Sequence, residues 1–117
     1  MPRRLVTVID NQTIAISGDY TSVAFEIPKK HSRFALSWVI TGDGSVKFEV
    51  LTTLDAIQYN CDSTPIASDQ TSSSGPETDG KDEIQVSLRP CTSVKIRCTE
   101  TGATSNITVT AKLLSME

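Results

Sequence analysis

The chain has 117 residues, of which 38% are hydrophobic and 21% charged, with a formal net charge of −3. This length supports one hydrophobic core but not two, and the composition excludes disorder throughout as well as a coiled coil. The acidic balance argues against a nucleic-acid partner, and no apolar run approaches the roughly 20 residues that span a bilayer, so we expect no membrane association. We therefore predict a single globular domain over residues 1–117.

Alternation of apolar and polar side chains with a period of two, the pattern of half-buried β-strands, recurs along the chain. In chain order, the predicted strands cover residues 5–9, 13–17, 22–27, 34–41, 46–51, 83–88, 94–99 and 107–113. About eight short strands without an amphipathic helix are typical of an all-β fold. The sequence predicts an antiparallel two-sheet β-sandwich that resembles a jelly roll.

The strand predicted over residues 34–41 is apolar on both faces, which indicates a central strand with Trp38 in the core. The tight-turn sequence at 42–44 follows it and predicts a hairpin with the next strand. The turn at 101–104 predicts a second hairpin, which joins the last two strands.

Residues 67–81 are polar, rich in Ser and Asp, and low in complexity. A segment of this composition cannot bury a core, so we expect an exposed loop that is mobile or ordered by a partner. Carboxylates at Asp79, Asp82 and Glu83, and more loosely at Asp62 and Asp69, have the chemistry to bind calcium. Because the spacing of an EF-hand is absent, we predict a solvated acidic loop and neither a metal nor another cofactor.

The three cysteines, Cys61, Cys91 and Cys98, contain no C-x-x-C pair, which argues against a zinc or redox motif. Cys98 shares the apolar face of its strand, as expected for a buried thiol. We interpret all three as structural thiols. The alternative is a disulfide between Cys91 and either Cys61 or Cys98, which requires an oxidising medium.

No catalytic constellation is evident in the sequence. The only histidine, His31, lies among charged residues in a predicted solvated loop, so it lacks the partners of a triad. Nucleophile-elbow, P-loop and dinucleotide-binding motifs are absent. We predict no catalytic residues and a protein that is not an enzyme.

Two groups of residues are candidates for a protein interface. Basic residues near the N-terminus and in the loop before residue 34 would form one docking patch if the two segments lie close together. These are Arg3, Arg4, Lys29, Lys30 and Arg33, with His31 among them. Outward apolar side chains at Val39, Leu51 and Leu114 would support edge-strand pairing or a shared apolar face.

Three segments, residues 45–59, 82–102 and 107–113, together resemble small β-sandwich structural proteins of tailed bacteriophages. The resemblance includes the strand Val46-Lys47-Phe48-Glu49-Val50 and the run Val94-Lys95-Ile96-Arg97-Cys98-Thr99-Glu100-Thr101-Gly102 before a threonine-rich strand. It implies a non-enzymatic virion component, such as a capsid decoration, neck or tail protein, assembled in the host cytoplasm. It also implies self-association into a homo-oligomer that docks on phage capsid or neck and tail proteins.

The alternative hypothesis is a carbohydrate- or ligand-binding sandwich module. In that case Trp38, Tyr59 or Tyr20 would stack on a sugar, and the loop at 79–83 would hold calcium. The alternation that places Trp38 with Leu36 and Ile40 favours the core over a binding platform, and therefore favours the virion hypothesis.

Overall fold

The computed structural model describes residues 3–117, and every regular element in that range is a β-strand. The strands are β1 Arg3–Ile14, β2 Asp19–Thr21, β3 Phe25–Glu26, β4 Arg33–Gly42, β5 Val46–Thr53, β6 Asn60–Cys61, β7 Ala67–Gln70, β8 Lys81–Val86, β9 Ser93–Glu100 and β10 Ile107–Met116. Within these residues there is thus no helix of the length and apolarity needed to cross a membrane. The predicted all-β fold is confirmed.

The strands form two antiparallel sheets. Sheet A has the order β1-β10-β4-β8, and sheet B has the order β2-β9-β5-β6, with β3 also on β9 and β7 also on β5. The inward side chains of both sheets make one core, in which the rings of Trp38 and Phe48 stack across the sandwich with centroids 4.7 Å apart. The predicted two-sheet sandwich and the buried position of Trp38 are both confirmed.

The predicted hairpin between β4 and β5 is wrong. β4 pairs with β10 and β8, whereas β5 pairs with β9, so the chain crosses from one sheet to the other between them. Gly42 bends the chain with a φ of +98°, and a Cβ at Gly44 would lie 2.7 Å from the carbonyl oxygen of Ser105. The crossing turns the apolar sides of the two strands towards each other, as the stack of Trp38 on Phe48 requires.

The second predicted hairpin is wrong for the same reason. β9 pairs with β5 and β2, and β10 pairs with β1 and β4. The turn at 101–104 is therefore another crossing between the sheets. With the connection from β1 to β2, three of the four strands in sheet A are joined directly to strands of sheet B at the same end of the sandwich.

The N-terminal part of the sheet also differs from the prediction. The strand predicted over 5–9 continues through residues 13–14 as one long strand, β1, whose pairing with β10 contains register shifts between Thr7 and Gln12, and residues 15–17 lie beyond its end. Asn11 has a φ of +48°, and its N–H donates to Thr110 Oγ1 at 2.9 Å, so the residues between the two predicted strands form a β-bulge. The strand predicted over 22–27 is reduced to the two residues of β3.

β4 lies in the middle of sheet A, as predicted, but only one of its faces is covered. Phe34, Leu36, Trp38 and Ile40 are buried, whereas Val39 on the other face is 39% exposed. The expectation that the strand is buried on both faces is therefore wrong, because no second layer covers the outer side of sheet A within the described residues.

The segment predicted as an exposed loop over 67–81 contains regular structure at both ends. Its first four residues form β7 against β5, and Lys81 begins β8, so residues 71–80 remain as the loop. Gly80 is buried: its N–H donates to the carbonyl oxygen of Ser74 at 3.0 Å, and its own carbonyl accepts from the N–H of Ile40 at 3.0 Å. These bonds hold the end of the loop against β4.

A buried carboxylate closes the end of the sandwich where the chain crosses. Glu100 is 2% exposed on the inner face of β9. Its Oε1 accepts the backbone N–H groups of Ser17 and Ala103 at 3.0 and 2.9 Å, and its Oε2 accepts those of Ser45 and Gly102 at 3.0 and 2.7 Å. These N–H groups, with those of Ser17 and Ser45 foremost, lower the pKa of Glu100 to about 2.

The stack across the core gives a first prediction. Replacing Phe48 with Ala should lower the free energy of unfolding by about 3–5 kcal/mol, because it removes a fully buried ring and leaves a cavity against Trp38. Urea unfolding followed by tryptophan fluorescence measures this. The control Val39→Ala, on the exposed face of β4, should lower the free energy of unfolding by about 1 kcal/mol or less. Equal decreases in both variants would contradict the assignment of Phe48 to the core.

The bonds to Glu100 predict a specific dependence of stability on pH. The folded-state pKa of about 2 lies below the ordinary value of 4.5, so this carboxylate stabilises the fold fully above pH 4.5 and the contribution is lost as the pH falls towards 2. In Glu100→Gln, the unfolding temperature at pH 7 should be lower than in the parent chain. Between pH 4.5 and pH 2, the unfolding temperature of this variant should also change less with pH. Glu77→Gln, at an exposed loop position, is the control and should match the parent chain in both respects.

Candidate protein interface

The register of sheet A arranges its outward side chains in rows across three strands. Arg3 on β1 pairs with Met116 on β10, which pairs with Arg33 on β4. The next outward row, two residues along each strand, consists of Leu5, Leu114 and Ala35. A basic row thus borders an apolar row at one end of the outer face.

A groove follows the apolar row because Ala35 is shorter than its neighbours. Its volume is about 300 Å³, and we call it the sheet A groove. It is lined by Arg33, Phe34, Ala35, Glu83, Ile84, Gln85, Leu114 and Met116. The surface of the groove is mainly apolar, with Ala35, Leu114 and Met116 facing outward beside the charges of Arg33 and Glu83, and Leu5 next to Leu114 is 59% exposed.

Four of the predicted interface residues, Arg3, Arg33, Val39 and Leu114, share this outer face. Leu51 is half-buried on the outer side of sheet B, where it pairs with Cys61 and Lys95. The structure therefore separates Leu51 from the other apolar candidates. Their role in an interface stays a prediction.

The N-terminal strand does lie near the connection between β3 and β4, the condition for one basic patch. Arg4 Nη1 donates to the carbonyl oxygen of Glu26 at 3.2 Å, and its guanidinium lies 4.7 Å from the ring centroid of Phe25. Lys29 and Lys30 are exposed in that connection. Arg4 points across the end of the sandwich towards sheet B, whereas Arg3 belongs to the outer face of sheet A.

His31 is not the solvated side chain that its charged neighbours suggested. It is half-buried, and its Nδ1 lies 2.7 Å from Ser115 Oγ. A serine and a histidine at this distance have the chemistry of a nucleophile and base. Ser115 is fully buried, however, so a substrate has no access to its hydroxyl and the pair fastens the start of β4 to the end of β10.

The outer side of sheet B carries an ionic cluster. Glu49 accepts from Arg97 at 3.1 Å and lies 3.7 Å from Lys47 Nζ, and Cys61 Sγ donates to Glu49 Oε2 at 3.3 Å. Burial raises the pKa of Glu49, but the hydrogen bonds from Cys61 and Arg97 outweigh it and leave this pKa below its ordinary value. Burial and the bond to Glu49 raise the pKa of Cys61, which keeps it a weak nucleophile.

All three cysteines are free thiols in the structure. Cys98 is buried, as its strand pattern predicted, and burial raises its pKa to about 12. Cys91 is half-buried, and burial raises its pKa too.

The residues that the ligand-binding alternative requires do not form a binding platform. Trp38 is 4% exposed, Tyr20 is half-buried, and the ring of Tyr59 is covered by the ammonium group of Lys95 at 4.3 Å. Among residues 3–117, no three histidine, cysteine or carboxylate side chains lie together as metal ligands would. The oxygens of Asp79 and Asp82 instead accept nearby backbone N–H groups.

A second surface feature, which the sequence analysis missed, follows β5. Leu54 and Ile57 are 76% and 86% exposed, the highest values among the large hydrophobic residues that the structure describes. We call residues 54–58 the apolar tip. Two such side chains in the six-residue connection between β5 and β6 are the signal that the sequence offered, because connections on a protein surface are usually polar.

The apolar tip is held by two side chains at its base. Thr53 Oγ1 accepts the N–H of Ala56 at 2.9 Å, and Asp55 Oδ1 accepts those of Ile57 and Gln58, both at 2.9 Å. The N–H groups of Gln58 and Ile57 lower the pKa of Asp55. Ala56 has a φ of +63°, a conformation that a non-glycine residue keeps only when its surroundings impose it.

Comparisons with known proteins give a likeness in structure alone. No protein-family model matches the sequence, and neither does any curated protein. The chain is similar to the VP2 subviral particle of infectious bursal disease virus, with a TM-score of 0.67, 12% identity and coverage of 97% of this chain.

Two further structures from that virus are also similar. The T=1 particle has a TM-score of 0.62 at 11% identity, and the T13 particle has 0.59 at 11%, each over 99% of this chain. The chain spans about a third of the length of the three proteins (32%, 32% and 31%). The likeness establishes a β-sandwich fold that is also found in virus particles.

The apolar tip yields a prediction about its rigidity. In Thr53→Val, the N–H groups of Asp55 and Ala56 lose the hydroxyl that accepts them, so the amide of Ala56 should exchange faster with solvent. Stability should fall by about 1–2 kcal/mol, because Thr53 is buried at the base of the tip. Hydrogen exchange measured by NMR tests this, with Thr41→Val on the exposed end of β4 as the control. An unchanged exchange rate at Ala56 in Thr53→Val would show that Thr53 does not order the tip.

Proposed function

We propose that this chain is a structural component of a virus particle that acts through self-association and docking on other virion proteins. The observation that carries the proposal is the likeness, over 97% of the chain, to a β-sandwich of an icosahedral virus protein. The outer face of sheet A supports it, since an apolar groove with a basic border is a surface suited to protein contact.

The finer part of the proposal places the protein in a tailed bacteriophage, as a capsid decoration, neck or tail component. It rests on the resemblance of residues 45–59, 82–102 and 107–113 to phage structural proteins. Within them, the run from Val94 to Gly102 covers most of β9 and the start of the crossing after it, and includes Glu100 at the end of the sandwich. A homo-oligomer is part of this proposal, as are phage capsid or tail proteins as partners.

A role without catalysis also belongs to the proposal. The serine and histidine that lie together, Ser115 and His31, are engaged with each other at a buried position. The thiol of Cys61 is held in its protonated form by burial and by Glu49. These side chains contribute to stability in ways that need no substrate.

The proposal predicts that the protein is part of purified particles. Particles induced from the bacterium that carries the gene would be purified on a density gradient and analysed by quantitative mass spectrometry. We expect the chain in the particle band at a constant ratio to the major capsid protein, and retained after a salt wash that removes loosely bound protein. Recovery only in the soluble fraction of the lysate would contradict a virion role.

A further inference from the structure

The apolar tip has the physical properties of a preformed contact. Its two exposed side chains, Leu54 and Ile57, would each be stabilised by burial, because burial removes their apolar surface from water. The hydrogen bonds that Thr53 and Asp55 accept from backbone N–H groups already fix the loop, so docking would require little further ordering. A rigid loop that exposes two large aliphatic groups is suited to insertion into an apolar recess on another protein.

The same chain carries a recess of that chemistry. The sheet A groove is lined by apolar groups of Ala35, Leu114 and Met116, and no part of the described chain covers it. We propose that the apolar tip of one copy inserts into the sheet A groove of a second copy. This inference rests on the self-association in the proposed function and names the two surfaces that make it.

The charges around the two surfaces favour this pairing. Beside the tip are the carboxylate of Asp55 and the guanidinium of Arg89, which borders the same recess as Leu54. Beside the groove are Arg33 and Glu83. Arg33 already donates to the carbonyl oxygen of Glu117, so the charged pair in the proposed contact is Arg89 beside the tip and Glu83 beside the groove of the second copy.

The contact joins two different surfaces, so variants that each lack one surface should complement each other. Ile57→Lys disables the tip, and Leu114→Lys places a charge in the groove. The association constant of each variant alone should be at least about tenfold lower than that of the parent chain, because a large aliphatic contact is lost. An equimolar mixture should form a 1:1 dimer, because the groove of the first variant and the tip of the second are both intact.

Sedimentation velocity across a concentration series measures these masses. Val23→Lys is the matched control. Val23 is 68% exposed in the connection between β2 and β3 and lines neither the groove nor the recess beside the tip, so its variant should assemble like the parent chain. Thermal unfolding of each variant checks that it folds. If Leu114→Lys does not fold, Ala35→Gln replaces it, since a longer outward side chain fills the groove from its floor.

A reversal of charge tests the orientation. Glu83→Arg alone and Arg89→Glu alone should each weaken association, and the chain with both changes should recover it, because opposite charges face each other again. Failure of the double variant to recover would overturn the pairing of Arg89 with Glu83.

The outcomes separate this inference from the proposed function. If the parent chain assembles and both lysine variants assemble equally well, the contact between tip and groove is overturned. The virion role would then still be tested separately by the particle analysis. A parent chain that stays monomeric at every concentration would also overturn the inference. Complementation in the mixture, with the control unaffected, would support it.

Discussion

The fold depends on one buried carboxylate at the end where the chain changes sheets. Glu100 lies on the inner face of β9, where its neighbours in the period-two pattern are apolar, and it retains its charge because four backbone N–H groups surround it. Those groups come from three separate connections: the one after β1, the crossing from β4 to β5, and the crossing from β9 to β10. A single side chain therefore accepts backbone hydrogen bonds from all three connections and ties them together.

The crossings decide which surfaces the molecule presents. Since β4 and β5 lie in different sheets, their apolar sides face each other, and the stack of Trp38 on Phe48 joins the layers. The other side of β4 is left to solvent with that of β10, and their register assembles the basic row and the sheet A groove. A hairpin at this position would have kept β5 in sheet A and given a different outer surface.

The proposed role, contact with other proteins, rests on these surfaces. The sandwich is similar in fold to that of a virus-particle protein, and His31, Ser115 and Cys61 are engaged in internal hydrogen bonds. In the proposed contact, the apolar tip and the sheet A groove supply the apolar surface, and Arg89 and Glu83 supply opposite charges. Because both surfaces lie on one chain, the proposed contact could repeat from copy to copy.

Sequence alone determined where most of the strands lie and which of their side chains enter the core. The period-two pattern identified Trp38 and Cys98 as buried, because alternation reports the covered face of a strand directly. Alternation carries no information about which strands are neighbours, so both hairpins were wrong: the contacts of Gly44 and Glu100 with distant backbone decided the crossings. For the same reason, only the tertiary structure shows that Arg3, Arg33 and Leu114 share one face. It also decided that Leu54 and Ile57 are exposed, because the exposure of a side chain depends on what the folded chain places near it.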